Sequence, residues 1–161
     1  MILRRIFTVA GAVILTACAT DNTAKKATVA QITPTGVDEN FIVTAIEDSA
    51  LPKGSCGMVL WTLDAEQPTP VFRAVVEKGA EISIDGAPVK MALTKVDGSA
   101  NYGVFEFQTF EGEGLSAHIK VRFGQGFDGG SYVEHGIMTI ERQDGWRTVV
   151  PAAGIAGCRA K

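Results

Sequence analysis

An all-β fold is predicted for this chain. It is an antiparallel β-sandwich or small β-barrel of about eight strands, preceded by a signal peptide and a flexible tether. Three observations predict it. From Cys56 onward, short apolar or alternating runs are divided by turn residues, as in strands joined by hairpins. No apolar stripe of period 3.6 is sustained in that region. The 161 residues include 18 Gly but only 2 Trp and 2 Tyr, a composition that favours many turns. The length suits one hydrophobic core rather than two ordinary domains. With 46% hydrophobic and 20% charged residues, the bulk reads as globular rather than disordered.

The first element is the signal peptide, residues 1–17. Arg4 and Arg5 precede an apolar run from Ile6 to Ala17, the layout of an export signal. About a dozen apolar residues fall short of the roughly 20 that span a bilayer as a helix. The run ends in Leu15-Thr16-Ala17-Cys18, which resembles a bacterial lipobox. The resemblance implies cleavage before Cys18, a diacylglyceryl group on its sulfur and a lipid bilayer as partner through the acyl chains. Each buried CH₂ of those chains contributes about 0.8 kcal/mol. Ala19 follows, with no aspartate there. By resemblance to enteric lipoproteins this implies the outer membrane, with the domain facing the periplasm of the cell envelope.

Residues 18–36 follow as the lipidated cysteine and its tether, rich in Ala and Thr, with Pro34 and Gly36 near the end. No apolar period is sustained there, so a flexible linker with a reach of about 25 Å is expected. Residues 37–161 form the single β domain. Phe41–Ile46 is apolar and β-rich and reads as its first strand, and Leu51-Pro52-Lys53-Gly54 then breaks the chain. Eight further strands are expected, at Gly57–Leu63, Val71–Glu77, Glu81–Ile84, Pro88–Leu93, Gly103–Phe110, Ser116–Phe123, Tyr132–Glu141 and Gly145–Val150. Asp85-Gly86 and Asp144-Gly145 read as tight hairpins, because that pair tolerates positive φ. Ala117, Ile119, Val121 and Phe123 alternate with His118, Lys120 and Arg122, the pattern of a strand with one wet face.

With Cys18 lipidated, Cys56 and Cys158 remain, and an even remainder in an exported chain predicts a disulfide. No second cysteine lies close enough for a redox pair, and the two with His118 and His135 have no zinc-ligand spacing. No metal and no cofactor are expected. Gly124-Gln125-Gly126-Phe127-Asp128-Gly129 matches GxGxxG literally. A dinucleotide fingerprint must open a helix, whereas Ser131–Glu141 reads as a strand, so Gly124–Gly130 is expected to be a glycine-rich hairpin loop. Phe127 and Asp128 in that loop are the candidate binding contacts, since loops on a rigid β scaffold commonly carry binding.

Other residue sets read as structural. Ser116, His118 and Asp128 lack a nucleophile elbow. His118 falls on the polar face of its strand, and His135, between Val133 and Ile137, reads as a core or rim histidine. Glu106, Glu111 and Glu113 read as solvated hairpin charges. Trp61 and Trp146 read as core or strand-end packing. No catalytic residue is expected. The formal charge is −3, and loss of Arg4 and Arg5 with the signal makes it −5, which argues against nucleic acid as a partner.

Gly98-Ser99-Ala100-Asn101-Tyr102 precedes Val104-Phe105-Glu106-Phe107. In Ser99 and Tyr102 this stretch resembles the inhibitory loop of small periplasmic lipoproteins that inhibit c-type lysozyme. That resemblance implies an eight-stranded barrel braced by a disulfide, acting on a muramidase. Two departures stand against it. Glu111-Gly112-Glu113 occupies the place of that family's lysine, and the cysteines are much further apart. The expected function is therefore a non-catalytic envelope lipoprotein, a binding or structural module with an envelope protein as partner. The alternative is a periplasmic inhibitor of lysozyme-type muramidases.

Overall fold

The strand runs close into a barrel. The computed structural model describes residues 41–63 and 67–161, and no helix occurs among them. The signal peptide, Cys18 and the tether lie outside the described residues. In chain order the strands are β1 (Val43–Thr44), β2 (Cys56–Thr62), β3 (Pro70–Val75), β4 (Gly79–Ile84) and β5 (Ala87–Asn101). They continue with β6 (Val104–Gly112), β7 (Leu115–Phe127), β8 (Gly130–Arg142) and β9 (Arg147–Cys158). From β2 to β9 each strand pairs antiparallel with the next. The ring closes where β2 pairs with β9, from Cys56↔Cys158 to Thr62↔Ala152. Of the two architectures expected, the chain adopts the barrel.

The ninth strand lies outside this ring. β1 pairs with β4 through Val43↔Ile84 and Thr44↔Ser83. β5 already occupies one side of those β4 residues, so β1 takes the side on which β3 has ended. The first expected strand, Phe41–Ile46, is thus cut to two residues. The chain after it leaves the ladder and runs along the outside of β3 and β2. There the Ile46 amide donates to the Pro70 carbonyl, and the Arg73 guanidinium donates to the Ala50 carbonyl.

Alternation in the strands fills the barrel. Ala117, Ile119 and Val121 of β7 point inward, and so do Val133, Met138 and Ile140 of β8. Phe72 and Phe110 meet edge to face at the centre, with ring centroids 5.5 Å apart. Eight strands enclose an interior just wide enough for side chains to fill or for one small ligand.

Turn chemistry fixes the register. Asp85-Gly86 joins β4 to β5 with φ of 51° and 82°, as the sequence predicts. Tyr102-Gly103 (53° and 78°) and Glu113-Gly114 (50° and 76°) do the same for β5–β6 and β6–β7. Positive φ at both central residues is the mark of the type I′ turn, whose twist matches that of the strands it joins. Asp144-Gly145 differs from expectation. It sits in a longer connection, residues 143–146, where Trp146 caps the barrel end by packing its ring on Phe41 at 3.8 Å.

Asp144 organises that connection. Its carboxylate accepts from the Arg142 guanidinium and from the Trp146 amide. The Arg142 hydrogen bond first, and the Trp146 amide second, hold the carboxyl below its ordinary value. A depressed folded value contributes stability above the ordinary carboxylate range, and that stability is lost as pH falls through the folded value. Asp144→Asn is therefore expected to lower Tm slightly near pH 7, and the difference between the two proteins should shrink as pH falls through the acid range. Thermal melts of both proteins across a series of pH values check this.

Candidate functional site

A groove runs along the outer surface at the disulfide end of the barrel. The main chain builds its walls. The segment Ser49–Leu51 forms one side, and the β7–β8 hairpin tip, Phe127–Gly129, forms the other. Val59 and Trp61 of β2 and Ile155 of β9 lie between them, in a hollow of about 320 Å³. Val59 is buried, although its neighbours Met58 and Leu60 are the ones that join the interior core. β2 is therefore covered on both faces.

Small residues on β9 bring the backbones close enough to form this floor. A Cβ at Gly154 would strike the Val59 carbonyl, and one at Gly157 would strike the Gly129 carbonyl. At the end of the groove the Cys158 amide donates to the Gly129 carbonyl at 2.9 Å, which ties the hairpin tip to the last strand. Arg159 donates to the Leu51 carbonyl at 2.8 Å and so fixes the opposite wall.

The predicted site residues fall as follows. Cys56 and Cys158 form a disulfide across the β2–β9 seam, with 102 residues between them in sequence. Phe127 and Asp128 both line the groove. Phe127 remains 39% exposed and packs against Tyr132 with centroids 5.0 Å apart. The glycine-rich loop is shorter than expected. Gly124–Phe127 continues β7 through two register shifts, and the loop shrinks to Asp128-Gly129. Gly126 and Phe127 pair with Ser131 and Gly130 of β8 and hold the end of this stretch in the sheet, while Gly124 and Gln125 fall in the register shift after Phe123. The stretch runs from strand to hairpin to strand, so the GxGxxG match opens no helix.

Trp61 overturns one expectation. It faces the outer groove and does not belong to the interior core. The signal was present as Gly57-Met58-Val59-Leu60-Trp61, an unbroken apolar run that indicates burial on both faces. Trp146 does pack against the core.

The histidines form no shared site. His118 is on the outer face of β7, with Nδ1 3.2 Å from Thr109 Oγ1 and Nε2 3.7 Å from a Glu141 oxygen. His135 is exposed at a bulge in β8, where Val133 and Gly136 shift register, rather than in the core. The structure does not assemble Ser116, His118 and Asp128, because β7 carries the first two far from the hairpin tip that holds the third. Glu111 and Glu113 are exposed, and Glu106 accepts from the Ser99 amide at 2.9 Å. Ser99 and Tyr102 lie at the β5–β6 tip, at the same end of the barrel as the groove. Among the described residues no cluster of three His, Cys, Asp or Glu is placed to hold a metal ion.

The arrangement can hold an apolar side chain or a short extended segment. Trp61, Ile155 and Phe127 supply apolar contact, and Asp128 and Arg159 add one charge of each sign to the lining. Compared with known proteins, the chain matches no family model, no curated protein and no solved structure.

Proposed function

We propose that this chain is a bacterial envelope lipoprotein, anchored by acyl chains on Cys18, whose barrel is a non-catalytic binding module. The observation that carries the binding role is the outer groove, where Trp61, Phe127 and Asp128 converge beside the disulfide. Aromatic residues are enriched where partners bury surface. The disulfide supports an oxidising compartment, and the lipobox-like Leu15–Cys18 supports the anchor. The partner that suits the groove is an envelope protein presenting an apolar side chain to Trp61, Ile155 and Phe127.

In-cell crosslinking tests the proposal. A photoreactive phenylalanine analogue replaces Phe127 in the full chain, with the exposed Glu113 position as control. One dominant envelope protein is expected at position 127 and not at 113. Its yield should fall about tenfold with Trp61→Ala, in line with loss of an aromatic anchor. Equal background at both positions would remove the groove from the account. In the same cells, labelling by an alkyne fatty acid should be lost with Cys18→Ala. Persistent labelling would place the anchor elsewhere.

The exposed tip at Ser99–Tyr102 favours the second reading, inhibition of a lysozyme-type muramidase. Lysis assays at micromolar protein decide that reading directly.

A further inference from the structure

Among the described residues β5 has a long open edge. It pairs with β4 only from Ile84↔Ala87 to Ala80↔Met91, and from Ala92 to Asn101 it pairs with β6 alone. Ala92 to Ala100 are all exposed. An unpaired edge presents a row of backbone N–H and C=O groups to another strand. Beyond Asp97 that row is partly taken up locally. The Gly98 amide donates to Asp97 Oδ1 at 2.8 Å, and the Ser99 amide donates to Glu106 Oε2 at 2.9 Å. Register shifts fall between Leu93 and Lys95 and between Asp97 and Ala100. Lys95, Val96 and Asp97 are the regular stretch between them.

Their side chains decide what this stretch can meet. Lys95 lies opposite Thr109 and Asp97 opposite Phe107. Phe107 is exposed on the outer surface, so Lys95 and Asp97 share the outer face. Val96 lies opposite the buried Gln108 and takes the inner face. With β4 no longer beside it, Val96 is 40% exposed. Neither Lys95 nor Asp97 has an ion-pair partner among the described residues.

We infer that this edge pairs with the same edge of a second copy, antiparallel and two-fold symmetric about Val96. Val96 then faces Val96 of the copy, and Lys95 of each chain lies directly opposite Asp97 of the other. Opposite charges in that position attract, and like charges repel. The two-fold registers centred one residue to either side set Lys95 against Lys95, or Asp97 against Asp97, so charge selects the register. Lysine and bulges commonly guard an edge against pairing. Here the aspartate two residues on cancels the guard for one partner, the edge itself, while the bulges keep the joint short. Such an interface uses the same patch twice and closes at the dimer. Three regular residues make a weak, reversible joint. None of the three lines the outer groove, and the pairing needs neither the groove nor the anchor.

Cysteine trapping tests the pairing on the full chain, purified in excess detergent so that a micelle rarely holds two copies. Residues directly opposite in an antiparallel pair have Cα atoms about 4.5–5.5 Å apart, within disulfide reach. Val96→Cys, oxidised with copper phenanthroline, is expected to give a disulfide dimer above the wild-type background. Thr94→Cys should not, because the two-fold places it opposite Gly98 of the copy. Lys95→Asp or Asp97→Lys, each combined with Val96→Cys, should slow trapping about tenfold, since each sets like charges opposite one another. Mixed one to one, these two charge variants should trap as fast as Val96→Cys alone, in a mixed dimer that intact mass identifies. Restoration by mixing also shows that both variants fold.

Equal trapping in every charge background, or trapping at position 94 as fast as at 96, would overturn the proposal. So would a chain that stays monomeric at every concentration, its edge bare or taken by another strand.

Discussion

Replacing both cysteines of the cross-link, as Cys56→Ala with Cys158→Ala, is expected to cause the largest loss of stability of any surface change in this chain. The bridge joins residues 102 apart. A closed loop of about 100 residues removes up to about 4.7 kcal/mol of denatured-state entropy in the chain-entropy model, and observed losses are commonly 2–5 kcal/mol. The loss should come from the unfolded side. The two cysteines face each other directly across the β2–β9 ladder, so the seam's backbone bonds survive the substitution. Urea titration checks both points. The midpoint should fall, and the slope m should rise, because an uncrosslinked denatured chain exposes more surface. A loss under about 1 kcal/mol would show that the disulfide constrains the unfolded chain little.

Truncation at the centre of the barrel should cost nearly as much by a different route. Phe72 and Phe110 are 0% and 1% exposed and touch edge to face. Either Phe→Ala change should cost about 3–5 kcal/mol, from lost transfer energy and from a cavity that strands on all sides cannot collapse. The double variant should cost less than the two singles together by about 0.5–1.5 kcal/mol, the value of an aromatic pair beyond its area. Equilibrium unfolding of the four proteins completes the cycle. Strict additivity would mean that the rings contribute area alone.

Some of this structure was legible in the residues and some was not, for physical reasons that differ from place to place. β7 was plain because a strand with one wet face must alternate, and Ala117, Ile119 and Val121 do. Asp85-Gly86 was plain because few pairs accept positive φ twice. Tyr102-Gly103 and Glu113-Gly114 adopt the same conformation, yet Tyr and Glu are not residues that announce it. The disulfide followed from counting cysteines.

β9 was cut short at Val150 because Pro151 and Gly154 normally weaken a strand. In the barrel β9 lies between β8 and β2, where close backbone approach favours small residues over bulky ones. β5 was ended at Leu93 because Lys95-Val96-Asp97-Gly98-Ser99 looks like a loop. Pairing with β6 holds it in the sheet across two irregularities. Of the outer groove, Phe127 and Asp128 were picked out from the glycine-rich stretch. Trp61 was not, because a run that is apolar on both faces does not say which face is inside. Gln108 was invisible, since a polar residue in Phe105-Glu106-Phe107-Gln108-Thr109-Phe110 gives no hint of its direction.

The seam between β2 and β9 also bears on the order of assembly. Every other joint of the barrel is a hairpin between consecutive strands, which can form as soon as both strands exist. The β2–β9 joint alone links the start of the barrel to its last residues, and it bears the full entropy of closing so long a loop. When the chain emerges from its N-terminus, a growing curved meander is expected to wait with one open rim on β2. That rim is shielded along its outer face by the segment Ile46–Leu51, and only the arrival of Cys158 closes the ring and allows it to be bolted.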